Sequence, residues 1–156
     1  MAAAGKWKLY ELAKLNLGKA AFDLTAGTFN MALFLSTSNA DTLTTSEKLA
    51  DLTNEVGNAN GYSTGGAAMA TVTWTNTAGT EKFTAAPTVW TASGAGIVAR
   101  SAVVYKVGTF AGIVNPILCT CLLDATPANV TAAAGTTLTV TMNASGSWTL
   151  GGATTD

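Results

Sequence analysis

The chain has 156 residues, of which 48% are hydrophobic and only 11% are Asp, Glu, Lys or Arg, and its net charge is −1. Charged residues usually make up about 25% of a chain, so copies of this one repel each other weakly and association is favoured. The near-neutral balance argues against a nucleic-acid partner, which is held by Lys and Arg that displace counterions; the absence of His removes the commonest general base and metal ligand, and no apolar stretch reaches the length of a membrane span.

The Met-Ala-Ala-Ala-Gly start runs straight into Lys6, Lys8 and Glu11. No uninterrupted apolar core of a secretory signal is therefore expected, and synthesis in a cytoplasm is. From Lys6 to about Leu17 the pattern predicts a helix, with Trp7, Tyr10, Ala13 and Leu17 at spacings of three and four and Gly18 placed to end it. Lys6, Lys8, Lys14 and Lys19 read as a solvated helix face or as an anchor on an acidic partner.

After Gly18 the period becomes two. Phe29, Met31, Leu33 and Leu35 alternate with Asn30, Ala32 and Phe34 as a strand. A second short helix is expected next, because Thr44 and Glu47 have capping-box spacing, Leu49, Leu52 and Val56 supply an apolar side and Gly57 stops it. Beyond it Ala70, Val72 and Trp74 alternate with threonines, as do Leu138, Val140 and Met142, which suits half-buried strands with Thr turned outward. Ile97 to Val107 and Ile117 to Leu123 are near-continuous apolar runs joined through Gly108 and Gly112. They predict a central hairpin covered on both faces. The fold class is mainly β, an antiparallel β-sandwich or open barrel with an N-terminal helix and one short inserted helix. Residues 1–18 form the helix or arm and residues 19–156 a single β-rich domain.

Nothing in the chain assembles an active site. A Ser-His or Cys-His nucleophile is impossible without His, and Asp41, Asp51, Glu55, Glu81 and Asp124 are scattered where caps and solvated charges occur. Cys119 and Cys121 point to one face of a strand, and a zinc site would need two more ligands, which neither His nor further Cys supplies. The pair reads as two small buried hydrophobes or, alternatively, as an intersubunit disulfide formed outside a reducing cytoplasm. Gly61-Tyr62-Ser63-Thr64-Gly65-Gly66 lacks the Lys-Ser or Lys-Thr of a phosphate loop and reads as a turn. Asn129-Val130-Thr131 and Asn143-Ala144-Ser145 are chance matches to a glycosylation pattern. Of the four tryptophans, Trp74 belongs with Val72 in the core, while Trp7 and Trp90 are open to an interface role. No enzyme activity, cofactor or metal is expected.

The order of several motifs goes further. Phe22-Asp23-Leu24-Thr25-Ala26-Gly27-Thr28 leads into an apolar strand, and Gly61 to Gly66 leads into a Thr-rich one. Ala99-Arg100-Ser101-Ala102-Val103-Val104-Tyr105 has a partner at Pro116-Ile117-Leu118, and the chain closes with Val130 to Leu138 and with Asn143 to Leu150. In this order the chain resembles a family of small virion structural proteins of tailed bacteriophages. The resemblance implies a structural component of the particle, and together with the charge-poor composition the expectation is a capsid decoration, or cement, protein made in the host bacterial cytoplasm and carried on the capsid exterior. As a homo-oligomer, a trimer at local three-fold positions, it would bind the major capsid protein, with contacts placed at Lys6, Trp7, Tyr10, Lys14 and Trp90. The alternative is a tail-tip, fibre or head-fibre component that grips host-surface glycan.

Overall fold

The computed structural model describes residues 5–19, 22–77, 80–126, 128–142 and 149–150. In chain order the strands are β1 (Lys8–Leu9), β2 (Phe29–Phe34), β3 (Ala67–Ala68), β4 (Thr73–Thr77), β5 (Thr80–Thr84), β6 (Thr88–Thr91), β7 (Ile97–Ala99), β8 (Ser101–Lys106), β9 (Thr109–Phe110), β10 (Ile113–Val114), β11 (Ile117–Leu122), β12 (Val130–Ala132), β13 (Thr137–Val140) and β14 (Thr149–Leu150). One helix, α1 (Glu11–Gly18), and one 3-10 turn at Leu49–Asp51 complete the elements. The fold is mainly β, every strand pair is antiparallel, and no sheet among the described residues closes into a barrel.

The centre is formed by Ser101–Lys106 of the first apolar run and Ile117–Leu122 of the second, while Ile97–Ala99 lies outside the main sheet. The main sheet has the order β1-β11-β8-β2-β3, with β8 and β11 paired as the expected hairpin and Leu118 absorbed in a register shift between Ile117 and Cys119. All of β8 and nearly all of β11 are buried, as near-continuous hydrophobicity requires of strands with no wet face. Against one face lies the smaller sheet β14-β5-β4, anchored where the Phe83 ring meets Phe29 edge-on at 5.3 Å between centroids. The first apolar run breaks at Arg100, whose N–H donates to the Phe34 carbonyl at 2.8 Å while its own carbonyl accepts from Leu123 N–H at 2.8 Å.

The amino-terminal helix is present but begins at Glu11. Residues 6–9 also alternate polar and apolar, with Lys6 and Lys8 exposed and Trp7 and Leu9 buried. The edge of β11 offers ladder partners there, and β1 takes them, its register setting Lys8 opposite Thr120 and Leu9 opposite Cys119. Gly5 N–H to the Leu122 carbonyl at 2.8 Å and Tyr10 N–H to the Leu118 carbonyl at 3.1 Å extend the stitching. Within the segment expected as a helix or arm, Lys8–Leu9 is thus an edge strand of the main sheet and Glu11–Gly18 is the helix.

The inserted helix contracts to the 3-10 turn. The Asp51 carboxylate takes the N–H groups of Glu47 and Lys48 at 2.9 and 3.1 Å, while the Glu47 side chain that a capping box would use accepts instead from Asn16 at 3.0 Å. Leu52 and Val56 belong to extended chain lying along β2, where Leu35 N–H donates to the Asn54 carbonyl at 3.0 Å and Val56 N–H to the Leu33 carbonyl at 2.9 Å. Capturing the backbone groups of β2 satisfies buried polar atoms that a short surface helix would leave unmatched.

The glycine-rich element Gly61 to Gly66 is a clamp on the main sheet. The Tyr62 hydroxyl accepts from Leu33 N–H at 3.0 Å and donates to Glu55 Oε1 at 2.6 Å. Glu55 Oε1 also accepts from Gly65 N–H at 2.6 Å, and the Gly65 carbonyl accepts from the Tyr105 hydroxyl at 2.8 Å. Burial first, and the Glu55 carboxylate second, push the Tyr62 hydroxyl above the usual tyrosine range, so it stays a donor.

Candidate functional site

Three of the five side chains expected to reach a partner are spent on the chain's own interior, which corrects that expectation. Tyr10 is 0% exposed and donates its hydroxyl to the Ala40 carbonyl at 2.6 Å, Trp7 is 9% exposed, and Trp90 is 5% exposed with its ring 6.3 Å from that of Tyr62. Large rings yield most when removed from water altogether. Lys6 and Lys14 are exposed, Lys14 reaching Glu11 at 2.9 Å on the helix surface. Trp148, and the Asn143 to Leu150 ending apart from its last two residues, lie outside the described residues.

Cys119 and Cys121 are buried at the centre of β11, neither is in a disulfide, and burial pushes the Cys121 thiol up to about 12. Burial of both thiols fits their reading as small buried hydrophobes, and an intersubunit disulfide would first have to expose them. Both thiols are expected to stay silent towards a water-soluble thiol reagent at pH 8 until denaturant is added, and then to react together. Rapid labelling of the folded protein would contradict this placement.

The carboxylates are absorbed by local structure. Asp23 accepts from Thr25 N–H and Oγ1 at 2.8 and 2.6 Å, which holds its carboxyl below the usual range, and Asp124 accepts from Thr126 N–H and Oγ1 at 2.9 and 2.8 Å. Asp41 faces Arg100 at 3.9 Å and Glu81 accepts from Asn76 at 2.8 Å. Among the described residues no three His, Cys, Asp or Glu side chains gather as a metal site. Lys106, although buried, donates its ammonium to the Asp23 carbonyl and stands 4.4 Å from the centroid of Phe110. It pins the loop before β2 to the β9-β10 hairpin. A recess of about 270 Å³ beside β1 is lined by Lys6, Lys8 and Asp41, charges of mixed sign that select no ligand.

A different surface stands out. Neither Phe83 to Ala99 nor Ala125 to Thr155 contains an Asp, Glu, Lys or Arg, and the fold pairs these two stretches with each other. Thr137 to Val140 lies antiparallel to Thr91 to Thr88, and Val130 to Ala132 to Ala99 to Ile97, so β6 with β7 and β13 with β12 make one kinked two-stranded ribbon. The kink falls where the Ala92 carbonyl accepts from Gly135 N–H and Ala92 N–H donates to the Thr136 carbonyl, each at 2.8 Å. Trp90, Ile97, Leu138 and Val140 face inward. Outward stand Val89, 51% exposed, and Val98, 37% exposed, with Thr91, Thr131, Thr137 and Thr139 around them. Beside the ribbon a notch of about 340 Å³ runs between β12 and β13.

Such a surface can be dehydrated without stranding an ion. Threonine hydroxyls lose little on burial when a partner bonds them, and depletion of charge marks the core of protein interfaces. The sequence carried this signal in its long uncharged windows, which a search for exposed aromatic residues passes over. No family model matches the chain, and no curated protein or solved structure is significantly similar to it.

Proposed function

We propose that the chain is a structural protein of a tailed-bacteriophage particle, a capsid decoration protein that binds the major capsid protein as a homo-oligomer on the outside of the head. The observation that carries this reading is the uncharged ribbon with Val89 and Val98 outward. Apolar area covered there contributes about 2.5 kcal/mol gross per 100 Å², less the cost of ordering both partners. Many such contacts spread over neighbouring capsomers resist the outward pressure of packed DNA. The motif order that resembles small phage virion proteins supports the same assignment, as does the commitment of the carboxylates to turns and clamps. The glycan-binding alternative needs ring faces open to sugar, and burial of Trp7 and Trp90 gives it no support.

The test is attachment to heads. Purified particles should carry the protein in copy numbers comparable with the major capsid protein, and stripped heads should take it up again. Val89→Lys and Val98→Lys, at exposed positions, should leave the fold intact and weaken uptake by about tenfold or more. A dozen copies or fewer per particle, or uptake indifferent to both substitutions, would overturn the reading.

A further inference from the structure

An edge strand presents unpaired N–H and C=O groups, and proteins ordinarily blunt such edges with Lys, Pro, a bulge or extreme shortness. β1 and β3, the edges of the main sheet, are two residues long. β4, the outer strand of the smaller sheet, lies beside Glu81 and Lys82, which stand opposite its Asn76 and Thr75. Among the described residues β13 has none of these protections. Among the described residues its one hydrogen-bonded neighbour is β6, and no charge or Pro occurs in Thr137-Leu138-Thr139-Val140-Thr141.

This edge also complements itself. Laid antiparallel against a copy about a two-fold axis at Thr139, it sets Thr137 opposite Thr141, Leu138 opposite Val140 and Thr139 opposite Thr139. Exposed hydroxyls, each both donor and acceptor, then meet hydroxyls on one face, while Leu138 and Val140, which are buried, meet on the other. Cross-strand pairs of this kind stabilise antiparallel sheets, and an isologous contact needs no second complementary surface. The notch walled by Leu123, Val130, Leu138 and Val140 lies along the same edge, ready to receive side chains of the incoming strand.

We infer that β13 pairs with β13 of a second copy of this chain, joining two ribbons into one continuous sheet across a two-fold axis. This names one partner of the assembling surface and in that respect rests on the proposed function, but it replaces the three-fold unit expected of a decoration protein with a dimer.

Analytical ultracentrifugation of the full chain decides it. The wild type should sediment as a dimer. Thr139→Lys sets two ammonium groups directly opposite each other and Thr139→Glu two carboxylates, so each variant alone should dissociate to monomer, with circular dichroism unchanged because the position is exposed. An equimolar mixture of the two should restore the dimer, opposite charges now facing across the axis. Val89→Lys, on the same face but one strand further in, should leave the dimer intact. A monomeric or trimeric wild type, a dimer indifferent to both charges, a mixture that fails to reassociate, or a dimer lost with Val89→Lys would each overturn the inference. Failure here leaves uptake by heads unaffected, and failure of uptake leaves the dimer unaffected, so the two proposals fall separately.

Discussion

Gly66→Ala is expected to cost about 3 kcal/mol or more of stability, read as a lower urea midpoint with an unchanged slope. Gly66 has φ +74°, and a Cβ there would stand 1.9 Å from the Met31 carbonyl oxygen and 2.7 Å from the Ala32 Cα. Those are backbone atoms of β2, hydrogen-bonded on both sides in the buried middle of the main sheet, so the loop must move. Moving it breaks the Gly65 N–H bond to Glu55 and the Tyr105 hydroxyl bond to the Gly65 carbonyl, leaving half-buried polar groups without partners. Gly135 is the internal control. Its φ is +80° but an added Cβ meets nothing within 4 Å, so Gly135→Ala should cost only the left-handed strain of about 1 to 2 kcal/mol. Equal effects at the two glycines would show that the clamp is not seated on β2 as described.

Phe83→Ala is expected to cost about 3 to 5 kcal/mol. Phe83 is fully buried, between half-buried Lys82 and Thr84, and its ring joins the smaller sheet to the main one through Phe29 at 5.3 Å and 67°. The lost ring leaves a cavity between two sheets whose backbones are held by their own ladders, so collapse would be incomplete. Phe83→Leu keeps most of the volume and should cost about 1.5 kcal/mol or less. Chemical denaturation gives both values, and a loss below about 1 kcal/mol for the alanine variant would mean that other contacts hold the sheets together.

Particular elements show where reading the sequence works and where it stops. The central hairpin was legible because near-continuous hydrophobicity over Ser101 to Lys106 and Ile117 to Leu122 suits strands buried on both faces, whereas Ile97 to Ala99, of the same apolar run, pairs with β12 and turns Val98 outward. The break at Arg100 was not, because it depends on a carbonyl of β2, a partner more than sixty positions away in the chain. Residues 6–9 fit a helix and a strand equally well, and the free edge of β11 decided for the strand. The capping box at Thr44 and Glu47 was a sound local signal, overridden when Asn16 claimed Glu47 and β2 claimed the chain after Asp51.

The proposed contact surface divides in the same way. Scarcity of charge, absence of His and a β-rich fold could be read from the residues alone, since composition and period two need no knowledge of who lies beside whom. Which residues stay exposed on an uncharged surface could not. Trp7, Tyr10 and Trp90 looked available, yet removal of large rings from water is worth more inside the chain's own core than on its surface. The two uncharged stretches are separated by about 25 residues, and only long-range antiparallel pairing laid them side by side as one ribbon. Local pattern determines what each residue would accept as surroundings; competition among distant hydrogen-bonding edges and buried faces decides which surroundings it receives.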